Sequence, residues 1–543
     1  MKKTSVNSRK LRYGGVTAAL TALIVAAVIV GNVIFSMLAA RFTWYIDMTP
    51  ELLFTLSDEA KDLIRNGDEE FGTASAIERV DQIREESKDP SMSINIIFCD
   101  EPDNIADDTS LRYIHNTALE LQSEFPDHIQ IKYHDIYRNP SAVSKYKSAS
   151  TTSITPTNVI VEFGTEYRVY SSRAFFSFDD DGETAWAYNG EKKLTAGILA
   201  VTRTESPIAC ITVNHGENAP ESLRAALSDS GYIVQDIDLS KEEIPADCRL
   251  IVIYNPMSDF GVNDGMSVDE ISILDDFLDQ TNSLMAFIGP DSNGGKRLNA
   301  LEDYLEEWGI VFDRNSEGMP HIVEESADNS MDSSRNIFAQ YAKYGLGQSI
   351  TKDMLNSNYP RTVVFPNAMS ISFAPTYQAV HDSNSDFDYA QRVSNRVIRS
   401  IYDVFTTSHK ADAYAGGILA ESATEANPLK LMTISEEQKS TEESDYSSMI
   451  DSSYVIAFGS TDFASEKCLG TDGYGNNELL LSLCRYIGHE PVPVGITMKP
   501  FADYEIDNIT TSAVTQYTVI LTVVPAVAAI CAGTIVLIRR KNR

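Results

Sequence analysis

The chain has 543 residues and a formal net charge of −34, from 78 Asp and Glu against 44 Lys and Arg. A surface of that sign repels phosphate backbones and anionic headgroups, which argues against nucleic acid as a partner. Six cysteines without a CxxC pair argue against dithiol redox chemistry and against a zinc site of paired thiols.

Val16 to Ala40 carries no charge. At about 1.5 Å rise per residue, a helix of that length crosses a hydrocarbon core of roughly 30 Å. Tyr517 to Ile538 is a second apolar run, interrupted by Pro525. Lys2, Lys3, Arg9, Lys10 and Arg12 precede the first run, while Arg539, Arg540, Lys541 and Arg543 follow the second, and an excess of Lys and Arg marks cytoplasmic flanks. The expected protein sits in the cell membrane, with transmembrane helices at 16–40 and 517–538 in the lipid bilayer. Its tails, 1–15 and 539–543, are cytoplasmic, and the large domain between the helices is extracytoplasmic. A cleaved signal peptide is the competing reading of the first run, because SMLAA ends it with small residues. The run exceeds the roughly 7 to 15 residues of such a segment, and Trp44 and Tyr45 stand where an aromatic belt would hold a retained helix.

Residues 41–90 read as a helical stalk, with Thr49 or Ser57 as caps. From 91 to 205 the pattern alternates. Ile94 to Phe98 is a buried-strand run, Leu111, Ile114, Ala118, Leu121 and Phe125 mark one helix face, and His128 to Tyr133 alternates as a strand does. A helix around Ser141 to Lys147 then precedes a Pro-led hairpin that starts at Thr155-Pro156. This β-α-β-α-β-β order resembles the thioredoxin-like fold, which implies a cis Pro156. Cys99-Asp100-Glu101-Pro102 stands where such proteins carry two cysteines, so the domain reads as a scaffold without thiol exchange.

A second α/β unit, 206–505, opens with the strand at Ile208 and Asn214-His215-Gly216-Glu217, followed by a helix near Pro220 to Leu227. Strands follow at YIVQDID and at Leu250 to Tyr254, Ser267 and Glu270 form a capping box, and Leu284 to Pro290 is the next strand. Strands apolar throughout and separated by helices imply a doubly wound sheet covered on both faces, of the glutamine-amidotransferase-like or flavodoxin-like kind. Residues 313–427 read as an insertion, after which Lys430 to Ser435, Tyr454 to Ser465 and a Leu-rich helix complete the sheet; 506–516 is a linker.

RFTWYIDMTPELLFTLSDEAKDLI, NGEKKLTAGILAVT, the strand ending in HGE, LIVIYNPMSDF, LEDYLEEWGIVFD, GQSITKDML and VIAFGSTDFAS, in that order, resemble the GldG family, auxiliary membrane components of ABC transporters. The resemblance spans nearly the whole chain, although Ala374 to Pro428 departs from it. It implies a non-catalytic accessory subunit in a transport or surface-machinery complex, working beside a separate ABC ATPase and a multi-helix permease. A sensor or ligand-binding module, with a glycan as one possible ligand, is the alternative.

His215, Glu217 and Asp462 are the candidate ligand-binding residues, because each follows a strand end, where doubly wound sheets bind their ligands. A His and a Glu there could act as base and orienting group, or Gly216 could make the turn while both side chains bond to backbone. Asp462 could face the same crevice or satisfy loop amides. No G-x-C-x-G or G-x-S-x-G elbow supplies a nucleophile, so no enzyme activity is expected. Gly289 to Arg297 (GPDSNGGKR) lacks P-loop spacing and the hydroxyl after Lys296, and the acidic loops 179–183 and 382–386 miss the EF-hand template. No cofactor and no metal are expected.

Overall fold

The computed structural model describes residues 52–501 apart from 69, 148–152, 179–182, 262–267, 315–319, 332, 357–360, 380–388, 395–396, 441–449 and 471–473; it also describes 23, 26–31, 33, 47, 49, 538 and 539. The chain divides into two compact units, Met1–Lys499 and Pro500–Arg543, and both main sheets belong to the first.

Ahead of the small sheet stand α1 (Asp58–Asn66) and α2 (Ala76–Ser87). Ser57 caps α1 by accepting from the Ala60 N–H, and Ser75 with Glu78 forms a capping box on α2. A small sheet follows: β1 (Ile94–Phe98), a short α3 (Pro102–Asp107), α4 (Thr109–Glu124), β2 (Ile129–Tyr133), a 3-10 turn at Pro140–Tyr146, β3 (Asn158–Phe163) and β4 (Glu166–Ser171). Its strand order is β2-β1-β3-β4, with β1 parallel to β2 and antiparallel to β3. α5 (Gly190–Thr202) packs on β3 and β4, and a Cβ at Gly197 would stand 3.1 Å from Val161 and 3.2 Å from the Tyr170 ring. A glycine there lets the helix approach the sheet that closely.

The second layer holds β5 (Ile208–Thr212), α6 (Glu221–Asp229), β6 (Ile233–Ile237), β7 (Cys248–Tyr254), α7 (Glu270–Leu278), β8 (Ser283–Phe287) and α8 (Asn299–Glu307). After them come β9 (Pro320–Glu324), β10 (Ser333–Phe338), α9 (Gly345–Asn356), β11 (Val364–Pro366), β12 (Val397–Thr406), β13 (Lys430–Ser440), β14 (Ile450–Phe458) and α10 (Asn476–Gly488). The parallel strands run β6-β5-β7-β8-β14, and β13 and β12 continue the sheet antiparallel. Alternate side chains go to opposite faces, which is why the runs are apolar throughout. Ala209, Ile211, Leu250, Val252, Met285, Phe287, Ile456 and Phe458 face α6, α9 and α10, whereas Cys210, Ile251, Ile253, Leu284, Ala286, Val455 and Ala457 face α7 and α8.

The two membrane-spanning helices, with the membrane and extracytoplasmic placement they implied, are overturned: among the described residues no helix is long and apolar enough to cross a membrane. The most thoroughly buried helix, α5, has 13 residues, which at about 1.5 Å each falls well short of a roughly 30 Å core. Of the run 16–40 only residues 23, 26–31 and 33 are described, and of 517–538 only 538; the linker 506–516 lies outside the described residues. The stalk is no spacer in its described part, because Ala60, Ile64, Ala76 and Val80 are buried in α1 and α2, which pack against each other and against α5. The insertion 313–427 does not stand apart from the sheet, since β12 pairs with β13 along its length.

The Thr155-Pro156 bond is trans, there being no cis peptide among the described residues. Pro156 instead opens a turn closed by the Asn158 N–H donating to the Thr155 carbonyl at 3.0 Å, and the Asn158 side chain accepts from Thr155 N at 2.6 Å. Pro suits that turn position because its φ is already fixed near −65°. The basis for giving Pro156 a backbone role beside a thioredoxin-like active site is therefore removed.

The two layers are joined through the first turn of α5. Glu191 accepts from the Ser57 N–H at 2.6 Å and pairs with Lys499 at 2.7 Å, Lys192 donates to Asn477 at 2.6 Å, and Lys193 pairs with Asp229 at 2.7 Å. Removing one partner of a buried ion pair strands the other, at a cost of about 3 kcal/mol. Glu191→Ala is therefore expected to lower the unfolding free energy by about 3 kcal/mol. Denaturant unfolding followed by circular dichroism measures this, and a loss indistinguishable from an exposed Glu→Ala change would contradict it.

Candidate functional site

The carboxyl ends of the parallel strands carry the polar groups that the sequence singles out. β5 ends at Thr212, and a turn with Gly216 at φ +83 brings the chain back toward the strand. Glu217 folds onto that end: Thr212 Oγ1 donates to its Oε1 at 2.7 Å, and the His215 N–H to its Oε2 at 2.6 Å. Glu217 therefore satisfies a strand end, and it does not cap α6, whose N-cap is Pro220.

The His215 ring lies on Phe260, with centroids 3.7 Å apart and planes 22° off parallel. Its Nε2 is 2.9 Å from Glu270 Oε2, while its Nδ1 is 3.4 Å from Glu217 Oε1 and lacks a hydrogen-bond partner. Asn214 Nδ2 donates to Glu270 Oε1 at 2.5 Å, and the Gly261 N–H to Glu270 Oε2 at 3.3 Å. The expected capping box is corrected as well. Asp269 is the N-cap of α7, accepting from the Ser272 N–H at 3.2 Å, so Glu270 is released to hold the histidine; Ser267 lies outside the described residues. Glu270 is the partner that the sequence reading missed, because the pairing spans 55 residues and no local spacing signals it.

The imidazole is 4% exposed and stands between two carboxylates. Burial alone would lower its pKa, but the close carboxylates of Glu217 and Glu270, the latter hydrogen-bonded to Nε2, outweigh that and raise it to about 9. Both glutamates are lowered, since His215 and their hydrogen-bond donors offset the effect of burial. The result is an internal clamp that ties the loop after β5 to the start of α7. The loop after β7 joins it, through Met257 and Ser258 N–H groups donating to the His215 carbonyl at 2.8 and 3.1 Å.

Asp462 is not part of this cluster. It follows β14, three strands from β5 in the sheet order, which is about 14 Å at the usual interstrand spacing. Its Oδ2 accepts from Asn367 Nδ2 at 3.2 Å. Two hydroxyls near the strand ends are internally committed: Ser460 Oγ donates to the Pro366 carbonyl, and Ser292 Oγ donates to Asn255 Oδ1 at 2.8 Å. Ser292 and its neighbours form a 3-10 turn before α8, with Asn293 and Gly294 at positive φ, rather than a phosphate cradle opening a helix. Among the described residues no group of His, Cys, Asp and Glu has the geometry to hold a metal ion. Of the two acidic loops, 179–182 and 382–386 lie outside the described residues.

Cys99, Cys210, Cys248, Cys468 and Cys484 are all free and buried. Burial and the neighbouring Asp100 push the Cys99 thiol up to about 12. A thiol so little ionised is a poor nucleophile.

No protein-family model matches the chain, and no curated protein does. Solved structures with a partial likeness include the following two. A protein titled cytoplasmic protein STM3548, from Salmonella typhimurium, is 11% identical with a TM-score of 0.25, over 52% of this chain and 98% of its own. PurLQS from Thermotoga maritima is 12% identical with a TM-score of 0.24, over 52% of this chain and 99% of its own. At that degree of likeness neither bears on what this chain does.

The clamp has a pH signature. The histidine's folded pKa of about 9 lies above the unfolded value of about 6.5. Its stabilisation is therefore complete below about pH 6.5 and lost as pH rises through 9. Unfolding free energies at pH 6.5, 8 and 9.5 are expected to fall in that order, and His215→Gln is expected to flatten the fall. An equal slope in both proteins would place the titration elsewhere.

Proposed function

We propose that this chain is a non-catalytic, GldG-like accessory component of an ABC-type transport or surface-machinery complex, working beside a separate ATPase and a multi-helix permease. The observation that supports the non-catalytic part is that His215 and two strand-end serines are each held by a protein partner. His215 is held by Glu270, Ser460 by Pro366 and Ser292 by Asn255. A catalytic base must reach the proton it removes, and a nucleophile must face its substrate. These groups face the protein instead. The complex itself is supported by the ordered motifs shared with the GldG family, of which NGEKKLTAGILAVT forms α5 and LEDYLEEWGIVFD begins within α8. The loop at Gly289 to Arg297 lacks the phosphate-cradling geometry of an ATPase, so energy would come from a partner.

Affinity purification of the full chain from its native source in mild detergent tests the proposal. An ATPase and a multi-helix permease are expected in fixed ratio with it, and ATP turnover in that fraction should vanish when the ATPase's phosphate-binding lysine is replaced. Recovery of the chain without either partner would overturn the proposal. So would hydrolytic activity of the isolated chain that His215→Ala abolishes.

A further inference from the structure

Over the carboxyl ends of β7, β8 and β14 lies a second polar cluster, distinct from the clamp. Asn367, just after β11, is its centre. Its N–H donates to the Arg335 carbonyl of β10 at 3.0 Å, and its side chain donates to Asp462 at 3.2 Å. The next residue, Ala368, accepts through its carbonyl from Ile322 of β9 at 2.9 Å, which brings in the neighbouring His321. Two more strand ends contribute polar residues. Tyr254, the last residue of β7, donates its hydroxyl to the Thr461 carbonyl at 3.2 Å, and Asp291 follows β8.

The loops beneath this cluster are tightly packed. A Cβ on Gly459 would stand 2.2 Å from the Met369 carbonyl oxygen, and one on Gly289 3.1 Å from Thr461 Oγ1. Loops held this closely present their side chains in fixed positions. Carboxyl ends of parallel strands are also where doubly wound sheets take ligands.

What separates this cluster from the clamp is that its charges are not neutralised from within. Arg335 is exposed, and its guanidinium has no ion-pair partner among the described residues; the same holds for the Asp291 and Asp462 carboxylates. His321 Nδ1 is buried without a hydrogen-bond partner. The charges of Arg335 and Asp291 both act on that ring, with burial the larger influence, and its pKa is lowered, so the imidazole is neutral near pH 7.

Charge complementarity then narrows the ligand. A simple anion would meet Arg335 and be repelled by two carboxylates, and a simple cation would leave the guanidinium unmatched. A neutral polyol would leave both signs unpaired. A molecule with a carboxylate at one end and an ammonium at the other satisfies both. Arg offers a planar fork that matches a carboxylate bidentately, and an ammonium has three donors for carboxylate oxygens.

We propose that this cluster binds a small zwitterion of the free amino acid class, Arg335 taking its carboxylate and Asp462 with Asp291 its ammonium, while His321 Nδ1 accepts or donates one further hydrogen bond. The assignment is independent of the transport reading, since a sensor or an accessory subunit would use such a site equally.

Calorimetric titration of the full chain with a panel of free L-amino acids, with acetate and methylammonium as half-ligands, tests it. At least one amino acid is expected to bind at one per chain, and both half-ligands about tenfold or more weaker, the factor that loss of one charge-assisted contact carries. Arg335→Ala and Asp462→Asn should each weaken amino acid binding about tenfold or more. Arg335 is exposed, so its replacement should leave the unfolding midpoint unchanged and separate a binding defect from a folding one. No binding by any amino acid at millimolar concentration would overturn the proposal. Acetate binding as tightly as the best amino acid would make the site an anion site and overturn it too, as would binding that neither substitution weakens.

Discussion

Four segments of this chain meet on three consecutive side chains. Glu191, Lys192 and Lys193 open α5, the helix between the small sheet and the larger one, and all but Lys193 of its residues are buried. Charged groups inside a protein are tolerated only when paired, because desolvation costs several kcal/mol per ion. Glu191 meets Ser57 and Lys499, Lys192 meets Asn477, and Lys193 meets Asp229. These partners lie at the start of α1, at the end of the first unit, on α10 and on α6. The need to satisfy three charges thus fixes where four distant segments must lie. Burial lowers the pKa of Lys192, with Asp229 and Glu478 opposing that, which shows how little solvent reaches the junction.

The same logic repeats at the rim of this junction. Arg485 of α10 pairs with Asp68, with Glu70 at 2.9 Å and with Asp353 at 2.8 Å, while Arg79 pairs with Glu490 at 2.9 Å. These contacts hold residues 68–79 against the larger layer. Acidic residues that read as a solvated stalk are therefore partly matched to specific cations, and the excess of acid over base remains on the outer surface. Guanidinium groups suit this duty because one fork reaches two or three carboxylates at once.

What the sequence disclosed depends on which signals are local. Ile94–Phe98, Cys248–Tyr254 and Ser283–Phe287 are strands where continuous apolar runs stand, because burial on both faces leaves no position for a polar side chain. Residues 313–427 were illegible because strands such as Val397–Thr406 and Ala411–Ala415 mix Ser, Arg, Asp and Tyr, and the pairing that recruits them lies far along the chain. Pro156 misled because a proline before a strand fits both a cis bond and a turn. At the candidate site, His215 and Glu217 were visible as a strand-end pair, but Glu270 carried its own local explanation as a capping residue. Asp462 was found without Asn367, His321 or Arg335, which come from strands that only tertiary structure brings to it.

The two strand-end clusters show how one sheet can make opposite uses of the same location. At β5, acid and base occur in a ratio that lets them neutralise one another: one imidazole is held by two carboxylates, stacked on Phe260 and shut from solvent. No charge is left over for a ligand. At β14 the components come from three separate strands and a loop, and the short amide of Asn367 can tether Asp462 without neutralising it. Arg335 stands on a different strand and does not close the gap. A buried group without a partner costs free energy that a folded chain otherwise avoids, by about 1–3 kcal/mol for a neutral one. Both ends hold an imidazole nitrogen without a hydrogen-bond partner, but His215 Nδ1 already faces the Glu217 carboxylate at 3.4 Å, whereas His321 stands beside charges that remain unmatched, the kind of deficit that a bound molecule removes.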